Sequence, residues 1–438
     1  SDSFGESHII KLEQNYRSTK NILNAAWSVV SKNINRAEKK IWTSNKKGDL
    51  INVIQATDER HESKVVLKEV LKINDKLNEI AILYRTNSQS RSIEDELRKS
   101  SIAYQIIGGV KFYDRKEIKD VLCYIRFLIN TNDTISLDRI INFPIRGIGK
   151  KTLEKIHNYS KTSNLSCLKV LEKSTLLNVS EKQQKNIKEF YRIINSYKAR
   201  IDVDKGSVIV RDLIKDLELK KYYKDKLTTE ANDRWDNIKE LISSIEEFEF
   251  STKQISLKSY LEEVSLLTDL DNWNMSNDSI TLMTVHSSKG LEFNNIFIMG
   301  LEDGLFPIVR LQEDNDIEEE RRLFYVALTR SRKKIVLSYA NTRRMFGSAP
   351  ILSKKSRFLK DIPENLIRYK NERFNYSEIK KKNDGNIKRN SKVVHNVFGK
   401  GRVIDIEGIG NNSKLTILFD NNVSKKLILK YANLKVIK

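Results

Sequence analysis

The chain runs to 438 residues, 39% of them hydrophobic and 31% charged, with a formal net charge of +21. That length exceeds one ordinary domain, the composition is that of a soluble globular protein with real cores, and no run approaches the ~20 apolar residues that span a bilayer. So basic a balance attracts polyanions, nucleic acid first among them; the Lys, Asn and Ile bias of an AT-rich genome is the other account of it.

From Ile9 to about Arg139, helix-like and strand-like segments alternate. The run Glu79–Arg85 has the short apolar core of a buried parallel strand, Ser92–Lys99 follows as a charged amphipathic helix, and Tyr104–Ile107 is a second strand. Alternation of this kind argues a parallel sheet covered by helices. From Ile140 to about Met275 helical periodicity takes over, as across Asp236–Phe248. Strands then return at Ile280–His286, Asn295–Gly300 and Lys334–Tyr339. The expected organisation is one α/β domain (1–139 and 276–367) interrupted by a mostly helical insertion (140–275). Residues 368–392, rich in Lys and Asn and including Lys380-Lys381-Lys382, read as a flexible basic linker. In 393–438, runs at Arg402–Ile406, Leu415–Phe419 and Lys426–Leu429, with turns at Gly408, Gly410 and Asp420-Asn421-Asn422, predict a small SH3-like or Tudor-like β-barrel.

Cys123 and Cys167 lie far apart without metal-ligand spacing, which disfavours a disulfide framework and fits a reducing cytoplasm. No charged-then-apolar leader opens the chain, and Ser1 in place of Met points to a longer polypeptide. His8, His61, His157 and His395 form no ligand-like cluster, so no metal site is expected. Thr284 and His286 share one face of a strand through Ile280–His286, because side chains alternate along it; alone, His286 is a polar strand end. The helix opening at Glu318-Glu319-Glu320-Arg321-Arg322 pairs Glu318 with Arg322 and turns Leu323, Val326 and Ala327 toward the sheet, with Arg330 just beyond it.

Arg146-Gly147-Ile148-Gly149-Lys150-Lys151-Thr152 imitates the phosphate loop G-x-x-x-x-G-K-[ST] and fails it twice. Pro144 stands where the first glycine belongs, and Lys151 where Ser or Thr is needed. The run reads as a helix-hairpin-helix element whose amides, with Arg146, Lys150 and Lys151, hold duplex phosphates, or as a plain turn between helices. No phosphate loop and no acidic magnesium box occurs elsewhere.

Three runs, Gln14-Asn15-Tyr16-Arg17-Ser18, Thr284-Val285-His286-Ser287-Ser288-Lys289-Gly290-Leu291-Glu292-Phe293 and Ala327-Leu328-Thr329-Arg330, resemble motifs IV, V and VI of the UvrD/PcrA/Rep family of superfamily 1 DNA helicases. Gly108–Asp120, Arg234–Leu241 and Met299–Pro307 resemble further stretches of that family, and His395–Gly401 is similar to the tail of its PcrA branch. The resemblance implies a RecA-like domain 2A, its 2B insertion and a Tudor-like tail, the C-terminal portion of a motor that couples ATP hydrolysis to 3′-to-5′ movement on single-stranded DNA and to unwinding. It implies that Arg17 and Arg330 are the arginine fingers on the γ-phosphate, that Tyr16 stacks on adenine and that Glu292 meets the ribose. Asn87, Thr284, His286 and Phe346 match its contacts to single-stranded DNA, and the 2B turn, Arg146 to Lys151 with Gly147, Ile148 and Gly149, would meet duplex. ATP and Mg²⁺ are the implied cofactors, with Mg²⁺ held mainly by an N-terminal RecA-like domain missing from this chain, so the chain alone is expected to be inactive. The implied partners are single-stranded and duplex DNA, that N-terminal domain, and RNA polymerase or a repair protein at the tail, with no membrane. Two rivals stand beside this reading. A nuclease-linked relative of the RecB or AddA branch lacks support from any Asp/Glu/Lys nuclease signature. A non-enzymatic DNA-binding adaptor has no need of Tyr16, Arg17, Glu292 and Arg330.

Overall fold

The computed structural model describes residues 13–34, 41–226, 228–253, 256–273, 278–308, 317–344, 351–371, 387–395, 398–408, 413–420, 424–429, 432 and 434–437. The chain divides into two compact units, Ser1–Gly109 with Leu270–Arg343 and Leu352–Lys438, and Val110–Asp269 with Arg344–Ile351.

In the first unit, β1 (Ile51–Ala56), β2 (Ile80–Tyr84), β3 (Tyr104–Ile107), β4 (Ile280–Thr284), β5 (Phe293–Ile298), β6 (Ser331–Ala340) and β7 (Ile367–Asn371) form one sheet. Their order is β3-β4-β2-β5-β6-β1-β7, and every neighbouring pair is parallel. A parallel sheet is covered on both faces and its strands read as unbroken apolar runs; β2 is buried at every position. Alternation sends Ala81 and Leu83 into a core with Ile22, Ala26 and Phe324, from the helices Lys20–Val30 and Ile317–Leu328. Ile82 and Tyr84 enter a second core with Val66, Ile93 and Leu97, from the helices Glu59–Val70 and Ser90–Lys99.

The expected charged amphipathic helix forms as Ser90–Lys99, with part of its charge buried: Arg98 is 1% exposed and is paired with Glu94 at 2.9 Å and Asp95 at 3.1 Å, while Ser90 and the Tyr104 hydroxyl donate to Glu94. Two local expectations need correction. In the helix Ile317–Leu328 the expected Ala327 is buried and Leu323 packs against the same core, but Phe324 and Leu328 fill it in place of Val326, and the Glu318–Arg322 pair forms at 3.3 Å. The segment expected to begin a linker at 368 opens instead as β7, paired with β1 along Ile51–Gln55. Only Leu366 and Ile367 mark it as buried, too short an apolar signal to read as a strand.

The second unit is helical among its described residues, including Lys116–Ile129, Thr134–Ile140, Lys150–Ser163, Glu181–Lys198, Gly206–Asp216, Leu219–Lys224 and Thr229–Thr252. It starts at Val110, ahead of the expected 140. The reason is the helix Lys116–Ile129, whose apolar residues pack on Thr134–Ile140 and Thr229–Thr252, with the Tyr124 ring 6.4 Å from that of Phe190.

The tail forms an antiparallel sheet of β8 (Lys392–His395), β9 (Gly399–Glu407), β10 (Lys414–Phe419), β11 (Ser424–Ile428) and β12 (Lys435–Ile437), in the order β11-β10-β9-β8-β12. Leu415, Ile417 and Phe419, two residues apart, face its core with Val393, Val403 and Leu427. Gly401 is required there, since a Cβ would stand 2.7 Å from the Phe419 ring. The architecture is the α/β class expected: a RecA-like parallel sheet, a helical insertion and a small Tudor-like β tail.

Candidate functional site

All strands of the large sheet point the same way, so its two edges are chemically distinct, and the described site residues of the first unit fall into two sets, one on each edge. At the amino edge, Arg330 immediately precedes β6 and Glu292 immediately precedes β5. The segment 14–18 is fixed beside them. Asn15 Oδ1 accepts from the amides of Arg17 and Ser18, both at 2.9 Å, the Asn15 amide donates to the Trp42 carbonyl at 2.7 Å, and Ser18 Oγ donates to the Ser331 carbonyl at 2.6 Å. Asn45 Nδ2 holds the carbonyls of Tyr16 and Ser18. The Tyr16 ring is left 75% exposed, with its hydroxyl donating to Gln14.

Arg17 and Arg330 converge. Arg17 Nε pairs with Glu292 Oε2, and its Nη1 donates to the Thr329 carbonyl at 3.2 Å. Arg330 donates to the carbonyls of Val326 at 3.0 Å and Leu291 at 3.2 Å, and to Thr329 Oγ1 at 3.2 Å. A guanidinium has five N–H donors. Among the described residues, Arg17 commits two of them and Arg330 three. Burial first, then the Arg17 charge beside it, disfavours the Arg330 cation. Its three acceptors are neutral, so they orient its charge without cancelling it. That is a site short of an anion.

One member of this set was not singled out in the sequence. Arg332 Nη2 pairs with Glu292 Oε1, so each oxygen of one carboxylate takes a different arginine. Hydrogen bonds from Arg332 and then Arg17 hold the Glu292 carboxyl below its usual range. The signal was present: Arg330 and Arg332 are two apart at the start of a strand, which puts both on one side.

At the carboxyl edge, Asn87 opens the turn Asn87–Gln89 after β2, and β4 ends at Thr284. The strand does not run on to His286: Val285 is helical (φ −56°, ψ −36°) and His286 opens the turn His286–Ser288. Thr284 and His286 therefore do not share a strand face. Instead Thr284 Oγ1 lies 2.9 Å from Ser287 Oγ and accepts from the Ser287 amide at 3.2 Å, while His286 is exposed. Gly108, at φ +75°, comes so close that a Cβ would stand 2.5 Å from Ser287 Oγ, and a Cβ on Gly109 would lie 3.9 Å from Asn87 Oδ1. Asn87, Thr284 and Ser287 thus form one polar lip with the glycine pair. Phe346 lies outside the described residues.

The connection 285–292 joins the two edges, from the end of β4 to the start of β5. Nearby, Arg343 holds the carboxyl ends of β5 and β6: it donates to Glu62 Oε2 at 2.6 Å and to both oxygens of Glu302, at 2.6 and 2.8 Å. Glu62 also accepts from the Gly300 amide and Ser338 Oγ.

The sequence matches the UvrD-like helicase C-terminal domain over residues 10–342 and the PcrA/UvrD tudor domain over residues 390–435. The chain belongs to the UvrD-like helicase family. It is 38% identical to the ATP-dependent DNA helicase PcrA of Staphylococcus epidermidis and 37% identical to that of Staphylococcus aureus, in each case over 98% of this chain and 62% of the relative. It therefore spans less than two thirds of the length of these relatives. The C-terminal domain of a possible DNA helicase from Lactobacillus plantarum aligns over 81% of this chain and 98% of its own, at 11% identity and a TM-score of 0.31, too low to weigh on the fold.

In the helical unit of this UvrD-like chain, the turn Arg146–Lys151 differs from its sequence reading. Arg146 does not face outward: its Nη1 donates to the carbonyls of Ile140, Phe143 and Pro144, at 3.1, 2.8 and 3.3 Å, its Nη2 to the Tyr124 hydroxyl at 2.9 Å, and the guanidinium lies over the Phe190 ring. Burial pushes that Tyr124 hydroxyl up to about 12. Ile148 is 2% exposed, an anchor rather than a contact. Gly147, Gly149, Lys150 and Lys151 remain exposed at the start of Lys150–Ser163, with Gly147 at φ +70°. Among the described residues no helix is long and apolar enough to cross a membrane, and no three His, Cys, Asp or Glu side chains gather as a metal would need.

Proposed function

We propose that this chain is the arginine-donating half of an ATP-driven DNA helicase: a domain 2A whose sheet runs through β7, a 2B insertion that starts at Val110, a basic linker after β7 and a partner-binding tail that opens at β8. The observation that carries this reading is the convergence of Arg17 and Arg330, with N–H donors to spare, beside an exposed aromatic ring and a carboxylate. Those groups fit a nucleotide: Tyr16 offers a stacking face, Glu292 a hydroxyl acceptor, and the two arginines donors for phosphoryl oxygens. When bound, ATP with Mg²⁺ supplies the phosphoanhydride whose hydrolysis drives movement. Nothing in this sequence cradles the β- and γ-phosphates, so the phosphate loop and the Mg²⁺ ligands belong to an N-terminal RecA-like domain outside this chain. Arg17 and Arg330 then neutralise the charge that develops during phosphoryl transfer.

Asn87, Thr284 and His286, with Phe346 as a stacking side chain, form this half of a single-strand track travelled 3′ to 5′. Gly147, Gly149, Lys150 and Lys151 meet duplex phosphates, and the tail docks RNA polymerase or a repair protein in the bacterial cytoplasm. The connection 285–292 runs from the strand edge to the nucleotide edge, which lets occupancy at one move the other.

The test is phosphate release with and without single-stranded DNA. The chain alone should stay at background. In the longer polypeptide that carries the phosphate loop, Arg330→Ala should cut turnover by about 10³-fold or more while nucleotide affinity changes little, since a finger acts on the transition state. DNA-stimulated turnover by the chain alone, or near-normal turnover in the variant, would overturn the assignment.

A further inference from the structure

The helical unit holds a cavity of about 580 Å³ between the helices Gly206–Asp216, Leu219–Lys224 and Thr229–Thr252. Its size is that of a small-molecule site. Ile214, Ile242 and the half-buried Trp235 give it an apolar wall, yet six cationic side chains and only two carboxylates line it. Four of those cations, Lys215, Lys220, Lys221 and Lys224, have no carboxylate partner among the described residues. The fifth lysine, Lys239, pairs with Asp236, yet burial, with the charges of Lys224 and Lys220 behind it, still holds its ammonium below the usual value. Lysines on three helices, four of them exposed, thus ring one hollow. An ordinary solvated face spreads such charges apart.

We infer that this cavity binds a nucleoside polyphosphate, its base against Trp235 and its phosphates among Lys215, Lys220, Lys221 and Lys224, at a site separate from the paired arginines of the sheet. A compact ligand suits the geometry better than a polynucleotide. A strand needs a track with repeated stacking faces, and among the described residues Trp235 is the one aromatic lining this hollow. Duplex phosphates need no apolar wall. A base with several phosphates satisfies both the wall and the excess charge.

The experiment uses the full chain carrying Arg17→Ala and Arg330→Ala, so that the sheet edge contributes nothing. GTP, ATP and inorganic pyrophosphate are titrated by calorimetry and by tryptophan fluorescence, alongside a short labelled poly(dT) strand. Saturable binding of the triphosphates is expected, weakened about tenfold or more by Lys220→Ala with Lys224→Ala, the loss of two charge-assisted contacts. Trp235→Phe should abolish the fluorescence change, pyrophosphate should compete, and Lys182→Ala with Lys185→Ala, outside the lining, should leave affinity unchanged. Circular dichroism melting of each variant guards against unfolding. Absence of binding at millimolar triphosphate, equal losses in both lysine pairs, or a pocket-dependent affinity for poly(dT) alone would each overturn the assignment.

Discussion

Replacing Arg343 by methionine isolates a buried ion cluster at the carboxyl edge of the sheet. The guanidinium bridges Glu62 and Glu302, whose side chains are 1% and 3% exposed, through contacts of 2.6 to 2.8 Å. Methionine restores volume but leaves two buried carboxylates with no cation between them. Glu62 keeps the Gly300 amide and Ser338 hydroxyl, and Glu302 keeps the Ala340 amide, which compensates in part. Breaking a buried pair costs about 3–5 kcal/mol, which for a domain of this class lowers Tm by roughly 6–20 °C. Differential scanning calorimetry of the chain reads this directly. Two companions sharpen it: Glu62→Gln in the same background removes one stranded charge and should restore part of the loss, while Glu292→Gln breaks a largely exposed cluster and should cost under about 1 kcal/mol. If Arg343→Met lowers stability no more than Glu292→Gln does, the cluster is not the strut described.

Two further outcomes follow from the same geometry. Lys150→Glu with Lys151→Glu should weaken duplex binding and flatten its salt dependence while single-strand binding changes little; acidic residues suit a helix start, so unfolding does not explain a loss, and equal losses on both substrates would reduce the turn to general charge. In the tail, burial lowers His395 to about 4 from 6.5, its ring stacked 4.7 Å from Phe398 and its Nδ1 accepting the Phe398 amide at 3.3 Å. The unfolded chain takes up the proton first, so this contribution is full above about 6.5 and is lost as pH falls toward 4. Amide exchange in β8 and β10 should speed up across that window, and His395→Phe should remove the dependence.

What the sequence made legible was whatever one segment decides for itself. The runs at Ile80–Tyr84 and Leu415–Phe419 are buried by their own periodicity, and both could be read. What it hid was set by partners distant in the chain. Arg146 looks like a phosphate contact beside Lys150, and only the fold shows Tyr124 and a ring of carbonyls claiming it. Charges on Ser90–Lys99 suggest a wet face, but Arg98, Glu94 and Asp95 satisfy one another in a dry one. The paired arginines were found through motif resemblance, since nothing local to Arg17 announces Thr329 or Glu292, about three hundred residues on. Arg332 escaped because that resemblance assigned it no part.

The same side chain serves opposite ends here, and its acceptors decide which. Arg343 faces two carboxylates, so its charge is cancelled where it stands and removing it strands both. Arg330 faces the carbonyls of Val326 and Leu291 and the Thr329 hydroxyl. Dipoles fix its direction and leave its charge whole, which is the condition for a group that must act on a ligand. Arg17 is intermediate, because Glu292 neutralises it in this state. Under the proposed function an incoming phosphate has to draw Arg17 from that carboxylate, and an unpartnered Glu292 beside the phosphate would oppose the exchange. Arg332 resolves the conflict: it already holds the other oxygen of Glu292, so Arg17 can turn to the phosphate while the carboxylate keeps a cation. Arg332 also lies 3.8 Å from Glu79, so it bridges two carboxylates and stays in place while Arg17 moves.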